Sequence, residues 1–113
     1  MTALAQKHCT PCDGGTQPLS RDEAAQLRSE LNSAWQISSD GKALKREYRF
    51  KNFYHTMSFA NALAYVANSE DHHPDLELGY NYCRVLFTTH AIGGLSQNDF
   101  ICAARVDVLE DRP

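Results

Sequence analysis

The fold turns on residues 35–51, WQISSDGKALKREYRFK. Trp35 and Ile37 alternate with polar neighbours, and Asp40-Gly41 supplies two residues that tolerate positive φ in a hairpin turn. Beyond the turn, Leu44, Arg46, Tyr48 and Phe50 share one face, while Lys45, Glu47, Arg49 and Lys51 occupy the other. A period of two with one fully charged face describes an antiparallel strand wet on one side. The apolar side of such a hairpin has to be covered by other elements.

The flanking sequence supplies helices for that cover. Ser20 and Glu23 form a capping-box pattern, and Ala24, Leu27 and Leu31 follow as one stripe, predicting a helix to about Asn32 or Ser33. A second helix is predicted over 54–69, with Phe59, Leu63 and Val66 as its main stripe and Ala60, Ala64 and Ala67 allowing close packing beside it. Pro74 disfavours helical geometry at His73, so that helix stops near Asp71 and leaves His72 and His73 in a loop. Residues 75–78 read as a short strand or a loop. Residues 80–89 read as a strand with Cys83, Val85 and Phe87 on one face. Tyr82, Arg84, Leu86 and Thr88 lie on the other, and His90 shares their parity; Tyr80 reads as a core aromatic. Gly93-Gly94 ends the strand, and Ser96 with Asp99 caps a last helix carrying Phe100, Ile101, Ala104 and Val108. The sum is an α+β fold, an antiparallel sheet with helices packed on one face. Residues 1–18 form an arm without periodicity, 19–109 the domain and 110–113 a polar tail.

Composition removes several function classes. At 113 residues the chain makes one domain, with no separate cofactor-binding unit. A net charge of −3 leaves no basic footprint for nucleic acid or an anionic membrane. No apolar run could span a bilayer, and Met1 to Cys9 lacks a secretory signal, so a cytosolic protein is expected. Cys83 and Cys102 read as small buried hydrophobes. Cys9 and Cys12 make a lone C-x-x-C with only His8 nearby, too few ligands for zinc and the wrong context for a redox helix, so no part in the main function is expected of them.

Chemistry concentrates in the segment from His72 to His90, which holds three of the five histidines. Imidazole is the side chain whose ordinary pKa lies nearest neutrality, so His72, His73 and His90 around one ligand would permit acid and base catalysis without a metal. Taken singly they have plainer explanations: His72 and His73 as solvated loop residues, His90 as a strand end bonded to backbone, Asp99 as a cap that could also orient a neighbour. His8 and His55 read as surface residues. A three-histidine zinc site is the competing arrangement, but adjacent histidines rarely present nitrogens to one ion, and no carboxylate–histidine pairing is evident.

The combined pattern resembles the pterin-4a-carbinolamine dehydratase family. The residues that carry the resemblance are Asp71-His72-His73-Pro74-Asp75, Tyr80, Thr88-Thr89-His90, Gly94-Leu95-Ser96 and Asp99, with the runs YRFKNF at 48–53 and NDF at 98–100. The likeness covers about residues 19–109. It implies four antiparallel strands with helices on one side, assembled as a homo-oligomer, a dimer or a tetramer. It implies dehydration of 4a-hydroxytetrahydropterin to the quinonoid dihydropterin, in the recycling of tetrahydrobiopterin used by an aromatic amino acid hydroxylase. The resemblance makes His72, His73 and His90 catalytic and puts Asp71, Thr88, Thr89 and Ala91 against the pterin beside them; no metal or organic cofactor is implied. Some members of the family double as dimerisation partners of transcription factors, so a regulatory protein of reduced activity is the alternative. One departure stands out: four positions before His72, where the family usually carries an acid, this chain has Asn68. An amide holds no fixed charge, which predicts a shifted pH optimum or weaker turnover.

Overall fold

A computed structural model describes residues 3–11 and 14–110. Four strands, β1 (Gln36–Ile37), β2 (Leu44–Arg49), β3 (Asp75–Leu78) and β4 (Tyr82–Phe87), form one antiparallel sheet in the order β1-β2-β4-β3. Three helices, α1 (Arg21–Arg28), α2 (Phe53–Glu70) and α3 (Gln97–Glu110), cover one face of that sheet. The expected α+β architecture is therefore present, and residues 75–78 are a strand.

The alternation in 44–49 fixes the sheet's two sides as the sequence implies. Leu44 and Tyr48 are buried, whereas Lys45, Glu47 and Arg49 are exposed. Leu44 pairs with Phe87 and Tyr48 with Cys83, so both central strands turn their apolar parity to the same core. Trp35, Phe59, Leu63, Val85 and Phe100 complete that core, each worth about 1.5–3 kcal/mol by removal from water. A carboxylate closes its far end. Asp107 on α3 accepts from Trp35 Nε1 at 2.9 Å, from Arg46 at 2.7 Å and from the Tyr48 hydroxyl. Burial, with the Asp107 charge beside it, drives the Tyr48 phenol far above its ordinary pKa, so it stays protonated and donates to Asp107.

Several sequence expectations need correction. In the turn after β1 only Gly41 adopts positive φ (74°); Asp40 instead accepts from the Lys42 N–H and the Ser38 hydroxyl, an Asx-type bond that makes the loop wider than a two-residue hairpin. Helix α1 ends at Arg28, because Glu30 and Leu31 tighten into i→i+3 turns that still bury Leu31. Ala64 is exposed on α2, and Val106 rather than Val108 is buried on α3. Tyr80 is no core residue: it is 65% exposed at the β3–β4 turn, stacked on Phe53.

The arm departs furthest from expectation. Residues 3–6 form a 3-10 turn, and Leu4 lies 1% exposed in the main core, with the turn packed on α3. This explains why α3 is buried without interruption from Asn98 to Ala104: the sheet and α2 cover one side and the arm covers the other. Among the described residues no helix is long and apolar enough to cross a membrane.

Candidate active site

The site forms where three elements end. Helix α2 terminates at Asp71, whose left-handed backbone (φ 51°, ψ 43°) reverses the chain. Glycine or asparagine usually takes that position, and aspartate is among the few other residues that tolerate it. The reversal, followed by Pro74, sets His72 and His73 in the loop that lines the same cleft as the end of β4. There Thr88, Thr89 and His90 leave the sheet, and Gly93 (φ 65°) turns the chain into the start of α3.

Asp99 lies at the centre of this junction. It is wholly buried and accepts three hydrogen bonds: from His72 Nε2 to Oδ1 at 2.6 Å, from the Thr89 hydroxyl to Oδ2 at 2.8 Å and from the Ser96 N–H to Oδ2 at 2.9 Å. The last of these is the capping contact expected from the sequence. The first supplies the carboxylate–histidine pair that sequence inspection did not reveal. An ionised carboxylate only accepts, so His72 Nε2 carries the proton and Nδ1 of the neutral ring keeps a lone pair. The ring also stacks on Phe87, centroids 6.1 Å apart and nearly parallel, which fixes its plane.

His73 makes a different contact, Nε2 to Asn68 Oδ1 at 2.9 Å. The position where the family usually carries an acid is thus directly at the second histidine. Glu70, two residues on, bonds the arm at Cys9 and His8 and not His73. The His90 ring is exposed and has no hydrogen-bond partner among the described residues.

These groups share one cleft of about 500 Å³, in the usual range for a small-molecule site. Asp71, His72, His73, Thr88, Thr89, His90 and Ala91 all line it. So do residues that sequence reasoning missed: Cys9, Thr10 and Pro11 of the arm, with Glu70 and Asn98 beneath them. The Asn98 amide clamps Thr10 on both sides, accepting from its N–H at 3.0 Å and donating to its carbonyl at 2.6 Å. Glu70 accepts from the Cys9 N–H at 2.7 Å and contacts His8 at 3.0 Å, while Arg105 donates to the Lys7 carbonyl. Asn98 and Glu70 lie in polar runs at helix ends, Ser96-Gln97-Asn98-Asp99 and Asn68-Ser69-Glu70-Asp71, so nothing local in the sequence marked them as this wall. A larger hollow of about 800 Å³ lies along the sheet. Glu47 in its lining is paired with Arg84 and with Arg49 beside it, and no histidine lines it. Among the described residues no three His, Cys, Asp or Glu side chains are placed to hold a metal ion. Cys12 lies outside the described residues.

Comparison with known proteins decides the family. A profile of the family described as pterin 4 alpha carbinolamine dehydratase matches residues 17–109. The chain belongs to that family. Among relatives provisionally named pterin-4-alpha-carbinolamine dehydratase, one from Nitrosomonas eutropha is 55% identical over 106 residues, covering 94% of this chain and 92% of the relative. Another, from Legionella pneumophila (strain Corby), is 53% identical over 106 residues, covering 94% of each. The crystal structure of a transcriptional coactivator/pterin dehydratase from Brucella melitensis superposes with a TM-score of 0.78 at 27% identity, covering 82% of this chain and 98% of that one. As a pterin dehydratase family member, the chain unites at one cleft all three histidines that the resemblance singles out.

Proposed function

We propose that this protein removes water from 4a-hydroxytetrahydropterin to give the quinonoid dihydropterin, a cytosolic step in recycling tetrahydrobiopterin after an aromatic amino acid hydroxylase has used it. The observation that carries the reading is the buried Asp99 behind His72, with His73 and His90 on the same cleft.

Dehydration needs an acid at the C4a oxygen and a base at N5–H. His72 suits the base. Its Nδ1 lone pair takes the N5 proton, and the Asp99 carboxylate at 2.6 Å stabilises the imidazolium that forms. As the N5–H bond breaks, its electrons make the C4a=N5 bond. The C4a–O bond breaks in the same step, its electron pair leaving with the oxygen, and His90, exposed and otherwise unbonded, protonates that oxygen to water. His73, steadied by Asn68, binds and polarises the pterin, with Asp71, Thr88, Thr89 and Ala91 around it. Each well-placed proton transfer is worth about 10²- to 10⁴-fold in rate. Stopped-flow measurement of 4a-hydroxytetrahydropterin decay tests the reading. Acceleration by wild type that collapses in His72→Ala and His90→Ala is expected; folded wild type with no acceleration over buffer refutes it.

A homo-oligomer, dimer or tetramer, goes with this reading. Strand β3 is an edge strand with all four residues exposed, including Leu76 and Leu78, and Tyr54 and Tyr65 stand out from α2. The same surfaces support the second reading, a regulatory partner-binding protein on this fold. A dehydration assay separates the two.

A further inference from the structure

One thiol pair among the described residues packs at the edge of the core and has no part in the proposed reaction. Cys9 lies on the arm, partly open to the cleft; Cys102 lies fully buried one turn beyond Asn98 on α3. Their sulfurs are 3.5 Å apart. A disulfide requires about 2.05 Å, so they need close by only about 1.5 Å. The flanking backbone is already fixed on both sides: the Cys9 N–H is bound to Glu70, the next residue is clamped by Asn98, and Cys102 sits beneath the His72 carbonyl.

We propose that Cys9 and Cys102 are a reversible disulfide site that fastens the N-terminal arm covalently to α3 beneath the cleft. The co-reactant is a small disulfide such as oxidised glutathione. The Cys9 thiolate, reached from the cleft, attacks one sulfur of that disulfide and releases the other half as a thiolate. Cys102, giving its proton to that leaving thiolate, attacks the Cys9 sulfur and expels the second half. Two protein thiols are oxidised, and one disulfide is reduced to two thiols. The order of attack follows from the surroundings. Contact with the Cys9 sulfur, then burial, raises the Cys102 pKa far above that of a free thiol, so Cys102 is the resolving and not the attacking group. Cys83, fully buried in the core with no sulfur beside it among the described residues, serves as an internal control. Thr10 and Pro11 follow Cys9 into the cleft wall, so the bridge holds that wall shut against α3. Any effect on turnover rests on the dehydratase reading, whereas the cross-link is read by mass, so the two can fail separately.

The test equilibrates the reduced full-length protein with reduced and oxidised glutathione, blocks remaining thiols with an alkylating agent and maps peptides by mass spectrometry. Expected is a fall in free thiols from four to two per chain, a single Cys9–Cys102 peptide, its reversal by excess thiol, and its survival in Cys12→Ser. Cys9→Ser, at a partly open position, and Cys102→Ala must each abolish it. A Cys9–Cys12 bridge, a link between chains, glutathione left attached to Cys9, or four thiols remaining at oxidising ratios would each overturn the proposal.

Discussion

Replacing Asp99 by asparagine separates the electrostatic role of this residue from its packing role. The side chain keeps its size, and its amide oxygen can still accept from the Ser96 N–H and the Thr89 hydroxyl, now 2.9 and 2.8 Å from Oδ2. The amide nitrogen then faces His72 Nε2 across the present 2.6 Å contact. Two N–H groups cannot face each other, so His72 must move its proton to Nδ1. The lone pair leaves the cleft, and the negative charge that would stabilise an imidazolium is gone. Losing one acid–base function costs about 10²- to 10⁴-fold in rate, or about 3–5 kcal/mol of barrier. Losing one charge-assisted hydrogen bond costs about 2 kcal/mol of stability. Stopped-flow decay of 4a-hydroxytetrahydropterin gives the first quantity and urea unfolding the second. A folded Asp99→Asn protein with kcat within about threefold of wild type would show that this carboxylate does not set the histidine's proton, because even the weakest general-base role is larger.

Three further outcomes follow from the arm and the second histidine. Leu4→Ala removes a side chain 1% exposed in the core and should cost about 2 kcal/mol in urea unfolding, the low end for such a truncation because a chain terminus can readjust; a loose arm would show no change. Glu70 is the arm's acid-sensitive anchor. Burial alone would raise its carboxyl, but the Cys9 N–H, His8 and the Arg105 guanidinium together hold it below its ordinary 4.5. A depressed folded pKa stabilises the arm above about pH 4.5, and that contribution is lost as pH falls through the lower folded value. Hydrogen exchange at residues 8–10 should therefore quicken only on acidification below that point, and Glu70→Gln should remove the dependence. Asn68→Glu puts a carboxylate at His73 Nε2 in place of the amide oxygen now 2.9 Å away. It should alter the pH–rate profile, because a negative charge replaces a neutral amide beside the ring; an unchanged profile excludes this contact from the rate.

The sheet and helices were legible because their signals are local. The charged parity of 45–51, the Ser20 and Ser96 caps and Pro74 each act within a few residues, and the elements follow them. Failures came where distant contacts decide. Leu4 belongs to no periodic stretch, yet it is buried because α3 presents a second apolar side that only folding creates. Tyr80 looks like a core aromatic by type, but the β3–β4 turn points it outward onto Phe53. The histidines could be located from spacing and resemblance. The His72–Asp99 pair could not, since 27 residues separate the partners and a capping aspartate already has a sufficient local explanation. The arm's share of the cleft was illegible for the same reason, because Asn98 and Thr10 meet across 88 residues.

The left-handed backbone at Asp71 bears on how far this fold can be hardened. A non-glycine residue there carries a conformational penalty of about 1–2 kcal/mol, so Asp71→Gly is the substitution a thermostability design would choose first. The glycine would relieve the backbone and widen the angles open to the two residues after it. Those residues are His72 and His73, whose rings must meet Asp99 and Asn68 within hydrogen-bond distance. The pivot joins α2 directly to both histidines, so a softer hinge would trade melting temperature against the aim of both imidazoles.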